Sequence, residues 1–331
     1  MKRPIGYWRY RVSPFMLGIR SRFPRTYSAL HAAAKAWRPC LSQPVAYSTS
    51  RPNSEPFLMI VGAGRSGNTL FRRLLMERSP LYIPPETYVL GKIADLRLSA
   101  RGIGWASTVD LMLATLEYHP EFTTFDTANL RDLALEAKGW PEVDRTVNTL
   151  LLALYRTLAK NCESDAIYYG DKTPLNTMNL HRIAPFFPDA RYVYLLRDGV
   201  DVAKSYVDAG IYPDISSAAK RWRDSVRHWE SFRVGIGSAR YVEIRYEDLV
   251  KNPESEIRNV IFHLGLPVRD SVIDVSACLG DVDKLAHHEN VARPPFSGSI
   301  GKGRVRMTPN EARQVRPILN RFLKRYGYDR V

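Results

Sequence analysis

The first 54 residues contain no acid: Met1–Ser54 lacks Asp and Glu yet holds ten Lys and Arg. The net charge of +14 is therefore mostly a property of this stretch, and about +4 remains from Glu55 onward. A folded region so near neutrality has no need of a polyanionic partner, so nucleic acid is not expected. Cysteine is scarce. Cys40, Cys162 and Cys278 are odd in number and far apart, and they fit neither a disulfide framework nor a zinc spacing. Three inert thiols in a reducing, cytoplasmic setting are the expectation, with no metal. Long apolar runs are missing as well. The longest in the basic stretch, Pro14–Ile19, falls far short of the ~20 residues of a membrane-spanning helix. An Arg-rich, acid-free stretch suits either a disordered extension or an organelle-targeting segment. The expected organisation is a 1–54 extension followed by a 55–331 domain.

What is present reads as α/β. Phe57-Leu-Met-Ile-Val61 is apolar at every position, as in a strand buried on both faces. Thr69–Glu77 follows as a helix. Further strands are expected at Ala166–Gly170, Arg191–Leu196 and Arg240–Ile244. Helices are expected at Leu180–Phe187, Ser217–Phe232, Asn252–Leu264 and Pro309–Tyr326, the last with proline near its N-terminus. Trp222 and Trp229 fall at helical spacing and are assigned to the core. A helical insert, at about 88–161, carries no motif and is expected to shape the pocket for an acceptor. Strands alternating with helices predict a central parallel sheet flanked by helices.

Between the first strand and first helix lies Gly62-Ala-Gly-Arg-Ser-Gly-Asn-Thr69. Glycines let the backbone turn sharply and present its N–H groups, and a helix N-terminus adds partial positive charge, so the loop is an anion site. Three ligand readings compete. A nucleoside triphosphatase loop needs lysine where Asn68 stands. A dinucleotide fold is matched by Gly62, Gly64 and Gly67, with Glu86 about twenty residues on. Pro84 and Pro85 disfavour a central strand ending at that acid. The third reading follows from Gly64-Arg-Ser-Gly-Asn-Thr-Leu70, which resembles the 5'-phosphosulfate loop of sulfotransferases that use 3'-phosphoadenosine 5'-phosphosulfate (PAPS). Arg65 takes the basic position. Asn68 departs from the usual Thr but retains an amide donor.

A second block favours the third reading. Arg197-Asp-Gly-Val-Asp-Val-Ala-Lys-Ser205 resembles that family's 3'-phosphate motif, an Arg at a strand end and a Ser eight residues later. An arginine fork and a hydroxyl suit phosphate oxygens. Arg245-Tyr-Glu-Asp-Leu249 resembles the segment whose tyrosine, here Tyr246, contacts the nucleotide. Gly298-Ser-Ile-Gly-Lys-Gly-Arg304 is similar to the family's closing loop, implicating Ser299 and Lys302. The resemblance spans about Pro56 to Tyr328 and is strongest to the group that includes tyrosylprotein sulfotransferases and bacterial sulfotransferases.

The resemblance implies a three-layer P-loop-type fold and sulfuryl transfer, in line, from PAPS to an acceptor hydroxyl without a metal. The acceptor is left open as a glycan, a small molecule or a protein tyrosine. Glu86 falls where the family places a glutamate base, and Lys172, in Gly-Asp-Lys-Thr-Pro174, where it places a lysine at the sulfuryl group. The implied catalytic set is Glu86, Lys172 and Arg65. The implied cofactor contacts are Arg65, Ser66, Gly67, Asn68, Thr69, Arg197, Ser205, Tyr246, Ser299 and Lys302. His287 and His288 are the second-choice bases, and His181 is assigned to packing. The alternatives are an NAD-binding Rossmann-type oxidoreductase and a non-catalytic nucleotide-binding protein.

Overall fold

The apolar run at Phe57–Val61 is buried at every position, and from it the sheet is built. The computed structural model describes residues 45–46, 57–99, 102–162, 164–280 and 294–331. Cys40, His287 and His288 lie outside the described residues. So does the 1–54 extension, apart from Val45 and Ala46.

In chain order the elements are β1 (Leu58–Gly62), α1 (Asn68–Met76), β2 (Leu81–Tyr82), α2 (Leu90–Ser99), α3 (Trp105–Glu117), α4 (Arg131–Lys138) and α5 (Val147–Asn161). Then come β3 (Tyr168–Lys172), α6 (Leu180–Ile183), β4 (Arg191–Leu196), α7 (Gly199–Asp208), α8 (Ile215–Arg233) and β5 (Tyr241–Arg245). Helices α9 (Tyr246–Lys251), α10 (Pro253–His263), α11 (Lys302–Arg306) and α12 (Pro309–Arg325) follow. The expected elements are present with small shifts at their ends. The Leu180 helix is one short α-turn followed by a 3₁₀ turn at Ala184–Phe186.

The five strands are parallel, in the order β2-β3-β1-β4-β5. This is an α/β three-layer arrangement with helices on both faces. Trp222 and Trp229 on α8 are buried, and Trp229 stacks on Tyr194 of β4 with ring centroids 4.9 Å apart. From β1 the chain runs out to the β2 edge, and from β3 it crosses back to β4. The loops after β1 and β4 therefore diverge and leave a crevice at the carboxyl end of the sheet. A dinucleotide fold of the order 3-2-1-4-5-6 sets β2 beside β1. Here β3 intervenes, which disposes of the NAD-binding alternative at the level of topology. Glu86 lies beyond an edge strand of two residues, as Pro84 and Pro85 require.

Two findings depart from expectation. Cys162 and Cys278, 116 residues apart, form a disulfide with a Cα–Cα distance of 5.3 Å. The reading of isolated thiols, and the reducing setting drawn from it, loses its basis for this pair. Val45 and Ala46 dock on the helical insert, with Arg97 Nε donating to the Val45 carbonyl at 2.6 Å and Val147 N to that of Ala46 at 3.1 Å. Among the described residues no helix is long and apolar enough to cross a membrane, and no His, Cys, Asp and Glu cluster suits a metal.

Candidate active site

Local geometry makes the first loop a cradle. Gly62 has φ 147°, and a Cβ there would lie 2.4 Å from the Leu195 carbonyl oxygen. Gly67 has φ 89°, and its Cβ would lie 2.4 Å from the Tyr246 ring. Only glycine combines these dihedrals with such close approach. Thr177 Oγ1 accepts from Gly62 N at 2.8 Å and donates to the Gly62 carbonyl at 2.9 Å, pinning the loop's start. At its other end α1 begins on Gly67 with no side-chain cap and no acid in its first turn. The helix therefore presents bare N–H groups and its positive end to the crevice. Ser66 is buried, and its Oγ has no hydrogen-bond partner among the described residues.

Cations gather along one side. Arg65 Nε donates to Ser205 Oγ at 3.1 Å. Arg197 Nη1 donates to the Arg65 carbonyl at 3.0 Å and Nη2 to that of Ser299 at 2.9 Å. The Arg197 guanidinium lies over the Tyr246 ring at 4.4 Å, and Tyr246 OH meets Ser299 Oγ at 2.6 Å. Burial and then the neighbouring Arg197 hold the Arg65 pKa below its ordinary value. Glu86 acts on Arg65 through its charge, and the acid paired with Arg197 is Asp201, at 3.8 Å. Its carboxylate is already taken up by Gly301 N and Gly303 N, each at 2.7 Å. Two adjacent guanidiniums so weakly compensated call for an anion.

A third cation sits at the end of β3. Lys172 is fully buried, and its Nζ donates to Glu86 Oε1 at 2.7 Å and to Thr69 Oγ1 at 3.1 Å. One ammonium thus joins the phosphate loop to a carboxylate. Glu86, the loop and both arginines face a cavity of about 1040 Å³. Arg65, Gly67, Asn68, Thr69, Glu86 and Arg197 line it, and Ser205, Tyr246, Ser299 and Lys302 continue the wall.

A sequence model of the sulfotransferase family matches residues 56–270. The chain belongs to the sulfotransferase family. It is therefore an enzyme that transfers sulfate. Its relatives include protein-tyrosine sulfotransferase 1 of Danio rerio, 24% identical over 328 residues, covering 94% of this chain and 81% of that protein. Protein-tyrosine sulfotransferase A of Caenorhabditis elegans is 21% identical over 286 residues, covering 83% of this chain and 68% of that one. In fold, the sulfotransferase domain of the Synechococcus PCC 7002 olefin synthase superposes with a TM-score of 0.53 at 19% identity, covering 85% of this chain and 97% of that chain.

Within this sulfotransferase the structure brings the sequence-derived residues to one crevice, with three refinements. Arg65 turns its side chain toward Ser205 and Arg197, out of a left-handed turn (φ 66°). The Asn68 side-chain amide donates to the Ala63 carbonyl at 2.8 Å and so braces the loop. The helical insert supplies only Tyr88 to the cavity lining among the described residues. Pro174, Leu175, Ile211, Tyr212 and Phe296 add apolar wall, and Lys204, Asp208, Arg221 and Arg306 add charge.

Sequence reasoning missed several contributors. Asp201 ties the closing loop down through two glycine amides, and Asp198 assists by accepting from Arg304 Nε at 2.7 Å. Trp222 is core, as expected, yet its Nε1 also donates to the Arg197 carbonyl at 3.0 Å. Tyr206 packs against Gly64, where a Cβ would lie 2.7 Å from the phenol oxygen. Burial pushes that phenol up to about 12. The Arg197 motif contains Asp198 and Asp201 in plain view, but nothing in the sequence says that the loop 100 residues downstream returns to them. His181 lies exposed, edge-on to Phe232 at 5.4 Å, away from the cavity.

Proposed function

We propose that this sulfotransferase moves a sulfuryl group from PAPS to an acceptor hydroxyl, with Glu86 as the general base. The carrying observation is the Lys172 ammonium, bonded at once to Thr69 of the phosphate loop and to Glu86. Donor-side and acceptor-side groups therefore meet at one buried charge.

The residues present fit the nucleotide. The glycine cradle, the bare N-terminus of α1 and the partnerless Ser66 Oγ suit the 5'-phosphosulfate end. Arg65, Arg197 and Ser205 form a cationic, hydroxyl-bearing group suited to a 3'-phosphate. Tyr246 offers a flat ring at the cavity wall, and Ser299 and Lys302 belong to the closing loop above it. When bound, the nucleotide supplies the sulfuryl group on a phosphate bridge. The chain's own residues do the rest. Lys172 and the loop N–H groups oppose negative charge developing on the phosphate side. Glu86 Oε takes the proton of the acceptor hydroxyl as that oxygen attacks. Holding both reactants in line lowers the barrier by removing the entropy of encounter.

The acceptor reading follows from the relatives and the walls. Both relatives named above act, by name, on protein tyrosine. The cavity that Glu86 lines takes part of its wall from Tyr88, Leu175, Tyr212 and Phe296, surfaces suited to a phenol ring. The test is transfer of radiolabelled sulfur from PAPS to three acceptors: a tyrosine peptide, a simple phenol and a glycan. Label on the peptide or phenol is the expected result. Label on the glycan alone would overturn the phenolic reading, and label on none would overturn the transfer itself.

Arg197→Ala is expected to weaken binding of 3'-phosphoadenosine 5'-phosphate (PAP) by about tenfold or more, the worth of a hydrogen bond to a charged group. Binding of adenosine 5'-phosphate should fall less, through loosened contacts to Arg65 and Ser299. Titration calorimetry with both ligands reads the difference. Equal losses would contradict a role for Arg197 at the 3'-phosphate.

A further inference from the structure

Glu86 stands on a segment with no regular structure. Residues 83–89 are neither helix nor strand, so no ladder of backbone bonds fixes the carboxylate that must face both Lys172 and an acceptor. The structure fixes it from both flanks by side chains. Before Glu86, the buried Arg72 donates from Nη1 to the Pro84 carbonyl at 2.8 Å. After it, Thr87 is gripped twice by the end of β3. Thr87 N donates to Thr173 Oγ1 at 3.0 Å, and Thr87 Oγ1 donates to Asp171 Oδ2 at 2.8 Å.

Alternation along the strand explains how this works. Successive side chains of a strand point to opposite faces. Lys172 reaches Thr69 and Glu86, while Asp171 and Thr173 on either side of it reach Thr87. Asp171 is fully buried, and two further donors hold it in place: Tyr155 OH of α5 at 2.7 Å and Asn176 Nδ2 at 2.7 Å. Burial pushes the Asp171 carboxyl up, and the Tyr155 and Thr87 hydroxyls hold it down. A carboxylate with three donors is a satisfied buried group, and such groups lock geometry. The next residue, Tyr88, has φ 57°. For a bulky side chain this is a strained conformation, which persists only where its surroundings over-determine it.

We infer that Asp171, Thr87, Thr173 and Tyr155 form a buried clamp that positions Glu86 for proton abstraction. None of the four is a catalytic residue in this account; each acts through Glu86. The inference rests on the reading of Glu86 as base. It also gives the helical insert a task beside the Tyr88 it lends to the cavity wall, since α5 supplies Tyr155.

The test uses the full chain and four variants: Thr87→Val, Thr87→Ser, Tyr155→Phe and Glu86→Gln. Turnover is followed as PAP released from PAPS in the presence of a tyrosine peptide, and PAP affinity is measured separately. Thr87→Val keeps the shape and removes the donor. It should lower kcat by roughly 10- to 100-fold, the scale of a misplacement near 1 Å, with PAP affinity unchanged. Thr87→Ser restores the hydroxyl and should recover most of the loss. Tyr155→Phe should lower kcat by less, because two donors remain on Asp171. A Thr87→Val enzyme with wild-type kcat, while Glu86→Gln is silenced, would overturn the clamp and leave the base in place. Parallel loss of kcat and PAP affinity in Thr87→Val, unrelieved by serine, would also overturn it, since that pattern marks general loss of structure. Wild-type turnover in Glu86→Gln would remove the base and the clamp together.

Discussion

Glu86→Gln is expected to lower kcat by about 10²- to 10⁴-fold, the contribution typical of a positioned general base. PAP affinity should stay near the wild-type value. The substitution is close to isosteric, and glutamine Oε1 can still accept from Lys172 Nζ, so the 2.7 Å contact has a replacement. What disappears is the carboxylate's ability to hold a proton. Rapid-quench measurement of a single turnover separates this step from nucleotide release. Turnover like that of the wild type would remove Glu86 from the role of base.

Lys172→Met should be nearly as severe, at about 10²- to 10³-fold in kcat, the range seen when one charge-stabilising donor is removed. It should differ from Glu86→Gln in two ways. Lys172 also bonds Thr69 in the phosphate loop, so PAP affinity should fall along with kcat. It is also fully buried, and methionine fills similar volume, while Glu86 is left partly buried without its cation. Removing one partner of such a pair costs stability, so the melting temperature should drop. A variant with intact PAP affinity and reduced kcat would place Lys172 away from the phosphate loop.

The legibility of this chain follows the range of its interactions. The β1-loop-α1 unit was readable because its evidence is local: an unbroken apolar strand, glycines with special dihedrals, and a helix starting at once. Lys172 and Glu86 were named by resemblance, but their contact links residues 86 apart in sequence and leaves no periodicity. The same holds for the Cys162–Cys278 bridge and for the return of the Gly301–Gly303 amides to Asp201. The two-residue strand β2 was too short to show alternation. Arg65 was legible as a charge, but a side chain's direction out of a left-handed turn is not, and the structure sends it to Ser205. Asp171 was seen only as a neighbour of Lys172. Its burial, and the three donors that make burial tolerable, depend on α5 and on the turn after β3 arriving at one point.

The central claim is that the bound nucleotide is recognised by a 3'-phosphate as well as by its 5' end. A thermal-shift comparison of PAP, adenosine 5'-phosphate, ATP with magnesium, and NAD tests it most directly. A ligand of the native state raises its apparent stability, by roughly 2.7 kcal/mol at a concentration 100 times its Kd. The account predicts the largest rise in melting temperature with PAP, a clearly smaller one with adenosine 5'-phosphate, and little with the other two. Stabilisation by ATP with magnesium or by NAD without stabilisation by PAP would contradict it.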